Sequence, residues 1–372
     1  MSGAVGVQAR QVFPVGAHNG RIRAIDWARG AAVSLMIVSH GVNGLLSFDQ
    51  IPIWHMVPVH LVTKISSSLF ILVFGVALAV AFLPHVGTAD WPRRRLKLLL
   101  TGVIILFWYK LLTVVEMSHL FEPEDIVNAL LYQSFPSYVE ILGFYAIALL
   151  WVPFFLPLWK RMALPLRIAS PVVMVGLWYY LYHHFHFWNN EPLQALLVEH
   201  EDHYTWGQLA RGPLILVGLL LGELIARYYR KPLARRVLAG SIAAASAVLI
   251  VIFLGLAGTD LPQELMAIAR NQGKHPPELM FMLFSVGGAL FVLALAVLGA
   301  EKLATALKPI TVIGSDALKA FYFHIIVIFV GFRYLLDYFH SVSYAYAMTL
   351  TLLLLLATAL WIQLTAWIRA KT

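Results

Sequence analysis

The sequence predicts an all-α, polytopic integral membrane protein with about ten transmembrane helices and both termini cytoplasmic, and three observations carry that reading. Hydrophobic residues make up 60% of the 372 positions and charged residues 12%, with a mean hydropathy of +0.78. A globular domain has about 45–50% apolar and about 25% charged residues. Apolar stretches near the roughly 20 residues that a spanning helix requires recur ten times, at 31–48, 66–83, 96–115, 138–159, 168–182, 209–226, 237–257, 279–298, 310–334 and 345–368. The connections between them alternate in charge.

That alternation gives each segment its direction. Arg21, Arg23 and Arg29 precede the first, and Arg93, Arg94, Arg95 and Lys97 lie between the second and third. Lys160, Arg161 and Arg167 follow the fourth, Arg227 to Arg236 follow the sixth, and Arg369 and Lys371 end the chain. The other connections carry Glu116, Glu122, Glu124 and Asp125, then Glu191, Glu199, Glu201 and Asp202. Positive-inside asymmetry puts the basic set in the cytoplasm. Residues 1–24 read as a cytoplasmic tail with no cleavable signal peptide, because no apolar core precedes Arg29. Residues 25–372 read as one transmembrane domain.

The net charge of +8 would suggest nucleic acid in a soluble chain. Here the bases are topology signals at span ends, so no nucleic-acid partner is expected; membrane lipids are. Cys is absent, which excludes disulfides, thiolate nucleophiles and sulfur-ligated metals.

Ionisable groups inside spans are costly and therefore mark candidate sites. Asp26 and Arg29 open the first span and His40 follows after ten intervening residues. Eleven helical steps cover about 16 Å in nearly whole turns, so Arg29 and His40 share a face, with a guanidinium at the cytoplasmic mouth and an imidazole near the midplane. The competing reading makes Arg29 a snorkelling anchor and His40 an interhelical hydrogen bond. Glu140 stands two residues into the fourth span, where it can orient a histidine or neutralise an arginine. Arg211 opens the sixth span on the side poor in bases, so an anion or hydrogen-bond acceptor must hold it. Asp316 and Lys319 in the ninth span are spaced to neutralise each other, and His324 has the stronger claim to a cavity. His183, His184, His186, His200 and His203 lack tight ligand spacing and read as interfacial residues, so no metal site is expected. Phosphate-loop glycines, a Gly-x-Ser-x-Gly elbow and a zinc-protease motif are absent from the sequence.

The run Arg23 to Gly30 leading to His40 resembles the opening of the membrane acyltransferase-3 superfamily, whose marker is a basic residue, ten intervening residues and a histidine. Within it the chain is most similar to the branch of glucan succinyltransferases and heparan-glucosaminide acetyltransferase relatives. Further matches are Ser68-Leu69-Phe70 through Phe74-Gly75, the run Tyr138 to Tyr145, His275-Pro276-Pro277, and Gly314-Ser315 through His324. The resemblance implies an enzyme that takes an acetyl or succinyl group from cytoplasmic acyl-CoA and places it on an extracytoplasmic glycan or lipid-linked sugar. It makes His40 the catalytic residue and Arg29 its cytoplasmic partner. Acyl-CoA enters as a substrate, so no cofactor is expected. Family members often carry Arg-x-x-Arg at the third span; Arg94 and Lys97 stand there instead, and Lys lacks the bidentate fork for phosphate.

The expected reaction is acyl transfer to a hydroxyl, with an amine as the other acceptor. Arg29, Arg93, Arg94, Arg95 and Lys97 supply cations for the CoA phosphates. His40 acts as general base or acyl carrier, Glu140 or His324 orients it, and Arg211 receives an anionic acceptor. The setting expected is a bacterial cytoplasmic (inner) membrane. The rival from another class is a proton-coupled secondary transporter, which uses buried charges equally well.

Cysteine substitutions in this Cys-free chain test the orientation: Ser118→Cys and Asn190→Cys should react with impermeant thiol reagents from outside intact cells, whereas Thr88→Cys should not. The reverse pattern inverts the topology.

Overall fold

The computed structural model describes residues 21–371. In chain order the helices are α1 (Arg23–Leu45), α2 (Ile53–His55), α3 (Ile65–Ala81), α4 (Trp91–Met117), α5 (Pro123–Leu130), α6 (Glu140–Arg161), α7 (Leu164–His184) and α8 (Glu191–Val198). They are followed by α9 (Gln208–Tyr228), α10 (Pro232–Ala257), α11 (Leu261–Ala269), α12 (Leu279–Ala306), α13 (Lys308–Ser315), α14 (Ala317–Ile326) and α15 (Tyr344–Lys371). Among the described residues, nine helical stretches are long and apolar enough to cross a membrane. The fold is all-α, as the composition requires.

The tenth long helix is α1, whose 23 residues give about 34 Å at 1.5 Å per residue. It is less apolar than the others because Asp26, Arg29, Ser34, Ser39, His40 and Asn43 lie along it. Lipid would leave those groups unsatisfied, and the fold answers by placing α1 at the centre. It packs against α3, α12, α13, α14 and α15, and nearly every residue from Ala24 to Ile37 is buried, on all faces of the helix. The outer helices are the reverse. In α7 only Pro171 is buried, while Val172, Val173, Tyr179 and Tyr180 are exposed and present an apolar surface suited to acyl chains.

Close backbone approach lets the centre assemble. A Cβ on Gly30 of α1 would overlap the Ile310 carbonyl of α13, and one on Gly314 would overlap the Asp26 carbonyl. Gly75 of α3 and Gly218 of α9 make a second such contact. Small residues are the usual device for helix association in membranes, where burial of apolar surface gives no drive.

Two predicted spans differ from what forms. The second extends upstream of 66–83: Met56–Leu61 is a π-helical segment that runs, through Lys64, into α3. The ninth, 310–334, is divided. Asp316 leaves helical geometry at φ −142°, ψ 69° and its carboxylate caps α14 by accepting from the Lys319 amide; Val327–Leu335 is again π-helical. Asp316 fixes that division as the N-cap of α14, while Pro309 stands in the first turn of α13. Asp316 and Lys319 do pair, at 3.0 Å.

Gly30→Ala should lower the thermal unfolding midpoint of detergent-purified protein by an amount worth about 1–3 kcal/mol, the usual cost of overpacking. Gly240→Ala, whose Cβ would meet open space, is the control and should leave the midpoint within a degree or so.

Candidate active site

Three elements distant in sequence bring their polar residues to one cavity on the side of the acidic loops. Met36, Ser39 and His40 come from α1, Thr63, Lys64, Ser66 and Ser67 from the start of α3, and Tyr138, Glu140 and Ile141 from the start of α6. Trp206, Asn271 and Lys274 close it from the connections before α9 and α12. The cavity encloses about 390 Å³ of empty space including its mouth.

His40 lies five residues before the end of α1 at Leu45, nearer the acidic side than the midplane position that the sequence suggested. Its Nδ1 is 3.1 Å from Nε2 of His324, and Nδ1 of His324 is 2.8 Å from the Ala320 carbonyl oxygen. A carbonyl only accepts. His324 Nδ1 therefore donates to Ala320, its Nε2 accepts, and the donor to it is His40 Nδ1–H. With both rings neutral, the lone pair of His40 Nε2 is left for the cavity. Phe321 and Tyr138 pack edge-on against the His40 ring, at 6.1 and 5.5 Å. The interhelical hydrogen bond and an imidazole that lines the cavity are thus one arrangement.

Tyr138 is itself anchored. Its hydroxyl donates to the Asn43 carbonyl at 2.7 Å, and the amides of Ser137 and Tyr138 donate to Glu116 Oε1 at 2.6 and 3.1 Å. Glu116 looks like a loop acid in the sequence and is instead buried at the end of α4. There it holds the backbone that opens α6, so Glu140 enters the cavity at a fixed height. Glu140 Oε1 accepts from Trp206 Nε1 at 3.0 Å and lies 3.9 Å from Lys274 Nζ. Its Oε2 has no hydrogen-bond partner among the described residues. The cavity therefore offers an imidazole base, a carboxylate oxygen, two ammonium groups and several hydroxyls.

Arg211 is held by an internal anion, as its unfavourable side demanded. Its Nε donates to Glu199 Oε1 at 2.9 Å, another nitrogen donates to the Lys274 carbonyl, and the guanidinium lies 5.0 Å from the Trp206 ring. Glu199 Oε2 is 3.2 Å from His275 Nδ1. Arg211 and Glu199 are almost completely buried, so this lock fixes the segment bearing Lys274, and Arg211 is not among the residues lining the cavity.

At the basic side, Asp26 Oδ2 accepts from Arg21 Nε at 2.6 Å and Arg29 lies 3.8 Å from Asp26 Oδ1. Arg93, Arg95 and Lys97 are exposed at the start of α4, where Arg94 Nε pairs with Asp90 at 2.5 Å and Arg95 lies over Phe154. Helix α4 packs on α6 and α14, so these bases and Arg29 sit on different elements. His40, Glu140 and His324 come together in one site; Asp26 and Arg29 form a second group; Arg93 to Lys97 form a third.

Among the loop histidines, His200 and His203 with Glu191 place donor atoms within 4.8 Å of one another, a convergence that the sequence spacing concealed. Lys64, Lys274, Asn271 and Trp206 were not expected in the site. The signal for the two lysines is their side: like Arg211, they are bases in a region otherwise almost without them.

The family model described as heparan-alpha-glucosaminide N-acetyltransferase, catalytic, matches residues 21–257. No curated protein matches the chain.

Burial pushes the His275 imidazole down to about 4, although Glu199 raises it. Burial alone would raise Glu199, but Arg211 and His275 bring its carboxyl below the usual range. Both groups favour the folded state above their ordinary titration ranges and lose that contribution on acidification. Thermal stability should fall as pH drops from about 6.5 towards 4, and His275→Gln should flatten the upper part of that fall. A midpoint independent of pH across this window would remove the lock from the account.

Proposed function

The chain belongs to the heparan-alpha-glucosaminide N-acetyltransferase catalytic family, and from that premise we propose that this integral membrane acyltransferase moves an acetyl or succinyl group from cytoplasmic acyl-CoA to an extracytoplasmic glycan or lipid-linked saccharide. The reading places the enzyme more widely in the acyltransferase-3 superfamily, in the cytoplasmic membrane of a bacterium, as a single transmembrane domain over 25–372. Family membership makes the chain an enzyme, and the transporter reading gives way to it. The single-domain reading is supported by Lys274 and Asn271, which line the cavity from beyond residue 257, and by His324, which hydrogen-bonds His40.

The observation that carries the mechanism is the chain from the Ala320 carbonyl through His324 to His40, which leaves His40 Nε2 as a lone pair facing the cavity. His40 Nε2 takes the proton from an acceptor hydroxyl or amine as the acceptor heteroatom bonds to the thioester carbonyl carbon. The tetrahedral adduct then expels the CoA sulfur, which receives the proton back from His40. Acylation of His40 itself is the alternative course, with the same base freed by the same hydrogen bond. His324 positions the ring; its other nitrogen ends on a carbonyl, so it has no route to pass the proton onward. Glu140 Oε2 accepts a hydrogen bond from the acceptor, and Oε1 stays with Trp206.

Donor binding is assigned to the basic side. Arg93, Arg95 and Lys97 are exposed there for the CoA phosphates, with Arg94 available by exchange from Asp90. Arg29 lies about 16 Å along α1 from His40 by helical rise and Asp26 about 21 Å, a span suited to the pantetheine arm. Arg211, engaged by Glu199, acts by holding Lys274 and Trp206 in place. The acyl-CoA is consumed as substrate and no resident cofactor or metal takes part in the proposed steps.

Purified His40→Asn protein that still binds acyl-CoA should lose transfer of label from acyl-CoA to envelope glycans by about 10²–10⁴-fold, the usual range for a general base. His324→Phe should reduce turnover about fivefold, equivalent to the ~1 kcal/mol of one hydrogen bond. A His40→Asn enzyme retaining a third of its turnover would reduce His40 to a membrane hydrogen bond, which averages about 0.6 kcal/mol.

A further inference from the structure

Lys64 is 4% exposed and lies within the spanning stretch Ile53–His85. Among the described residues its Nζ has no hydrogen-bond acceptor and no carboxylate partner; only the Phe48 ring approaches, at 5.8 Å. The backbone around it is held firmly. Lys64 stands at the junction between the π-helical segment and α3, its amide donates to the Leu61 carbonyl at 3.0 Å, and its carbonyl accepts from Ser285 Oγ at 2.9 Å. Irregular helical backbone at membrane depth is tolerated where it lines a cavity, and π turns recur at functional sites. The side chain lines the same cavity as His40.

The other charges of the site are accounted for within the protein. Arg211 is matched by Glu199 at 2.9 Å. Lys274 is near Glu140 at 3.9 Å and donates to the Tyr204 hydroxyl at 2.7 Å. The two histidines are neutral in the arrangement described above. Among the described residues of the site, Lys64 therefore remains without an anion, in a place where lone charges are expensive and buried ones are normally paired. A transient oxyanion on the thioester carbon exists only at the transition state and leaves Lys64 uncompensated for the rest of the cycle.

We propose that Lys64 is an anion subsite, which receives a carboxylate, phosphate or sulfate group carried by the substrate beside His40. The inference deepens the transferase reading and rests on it. The anion has two possible sources. It is either the free end of a dicarboxylic acyl group brought by the donor, or an acidic substituent of the acceptor sugar. Ser66 and Ser67 line the same cavity and carry hydroxyls that can donate, so the subsite suits an oxygen anion.

The test has a binding arm and a kinetic arm, both on the full-length chain in detergent. In the first, succinate and inorganic phosphate are compared with chloride at equal ionic strength by thermal unfolding. Both should raise the midpoint of the wild type in a saturable manner, retain that effect in Lys64→Arg, and lose it in Lys64→Met. In the second, kcat/KM is compared for succinyl-CoA against acetyl-CoA on a neutral sugar, and for an acidic against a neutral sugar with acetyl-CoA. Lys64→Met should reduce one of these two ratios about tenfold, and the ratio that falls names the source. No midpoint shift in the wild type, or both ratios unchanged in a folded Lys64→Met protein, overturns the proposal. Equal losses for charged and neutral substrates also overturn it, because they place Lys64 at the reacting carbonyl. Protein that is stabilised by these anions and transfers no acyl group would instead remove the transferase reading and leave the subsite standing. Should Lys64→Met fail to fold, Lys64→Gln takes its place in both arms.

Discussion

A helix bearing an aspartate, an arginine, a histidine and an asparagine cannot face hydrocarbon, and the rest of the structure is arranged around that constraint. Each backbone and side-chain polar group at membrane depth needs a partner that lipid does not provide. Helix α1 meets the requirement by burial, packed against α3, α12, α13, α14 and α15. The more apolar helices can then occupy the rim, as the almost fully exposed α7 does. Gly30 and Gly314 permit the closest of these contacts, and the same contact aligns α13, and hence the start of α14, with α1. The position of His324 beside His40 follows from that alignment.

The two ends of α1 receive different electrostatic treatment. At the basic side, Arg21 and Arg29 share the carboxylate of Asp26 in a compact group. At the other end the loops do the balancing: Glu116 anchors the entry to α6, and Glu199 binds Arg211 and His275 together. These carboxylates are largely spent on positioning; among the described residues, Glu140 lines the cavity with its Oε2 left without a hydrogen-bond partner. The surplus of fixed structure around a small polar chamber is what pre-organised chemistry requires, because groups that are already oriented cost no reorganisation during the reaction.

How much of this was legible in the sequence depended on the range of the interactions. The spans followed from hydropathy alone, and His40 and His324 followed from the cost of placing imidazoles among apolar residues. Their mutual contact did not, since it joins residues 284 positions apart. Arg211 was readable as a base on the wrong side that needed an anion, but Glu199 looked like any acid in an acidic loop. Lys64 was hidden by the π-helical segment: it lies between two apolar runs and reads as their connection, when the helix in fact continues through it. The break at Asp316 was obscured by the apolar residues that continue on both sides of it. In each case local pattern gave the element, and a long-range partner gave the role.

The distribution of charge also bears on why such a reaction would be housed in a bundle of helices. The basic residues of α4 are exposed at one side, whereas the cavity opens among the acidic loops at the other. A donor held by its phosphates at the basic side and an acceptor held at the cavity need never share a solvent. Under the proposed mechanism the only part of the donor that must reach His40 is the end of a thin, uncharged arm. Its phosphates remain with the arginines and lysine in the better-solvated region, and the desolvation cost of carrying them inward is avoided. A negative group brought by the substrate to the reacting end would reverse that economy, and under the proposed reading the buried Lys64 ammonium offsets it.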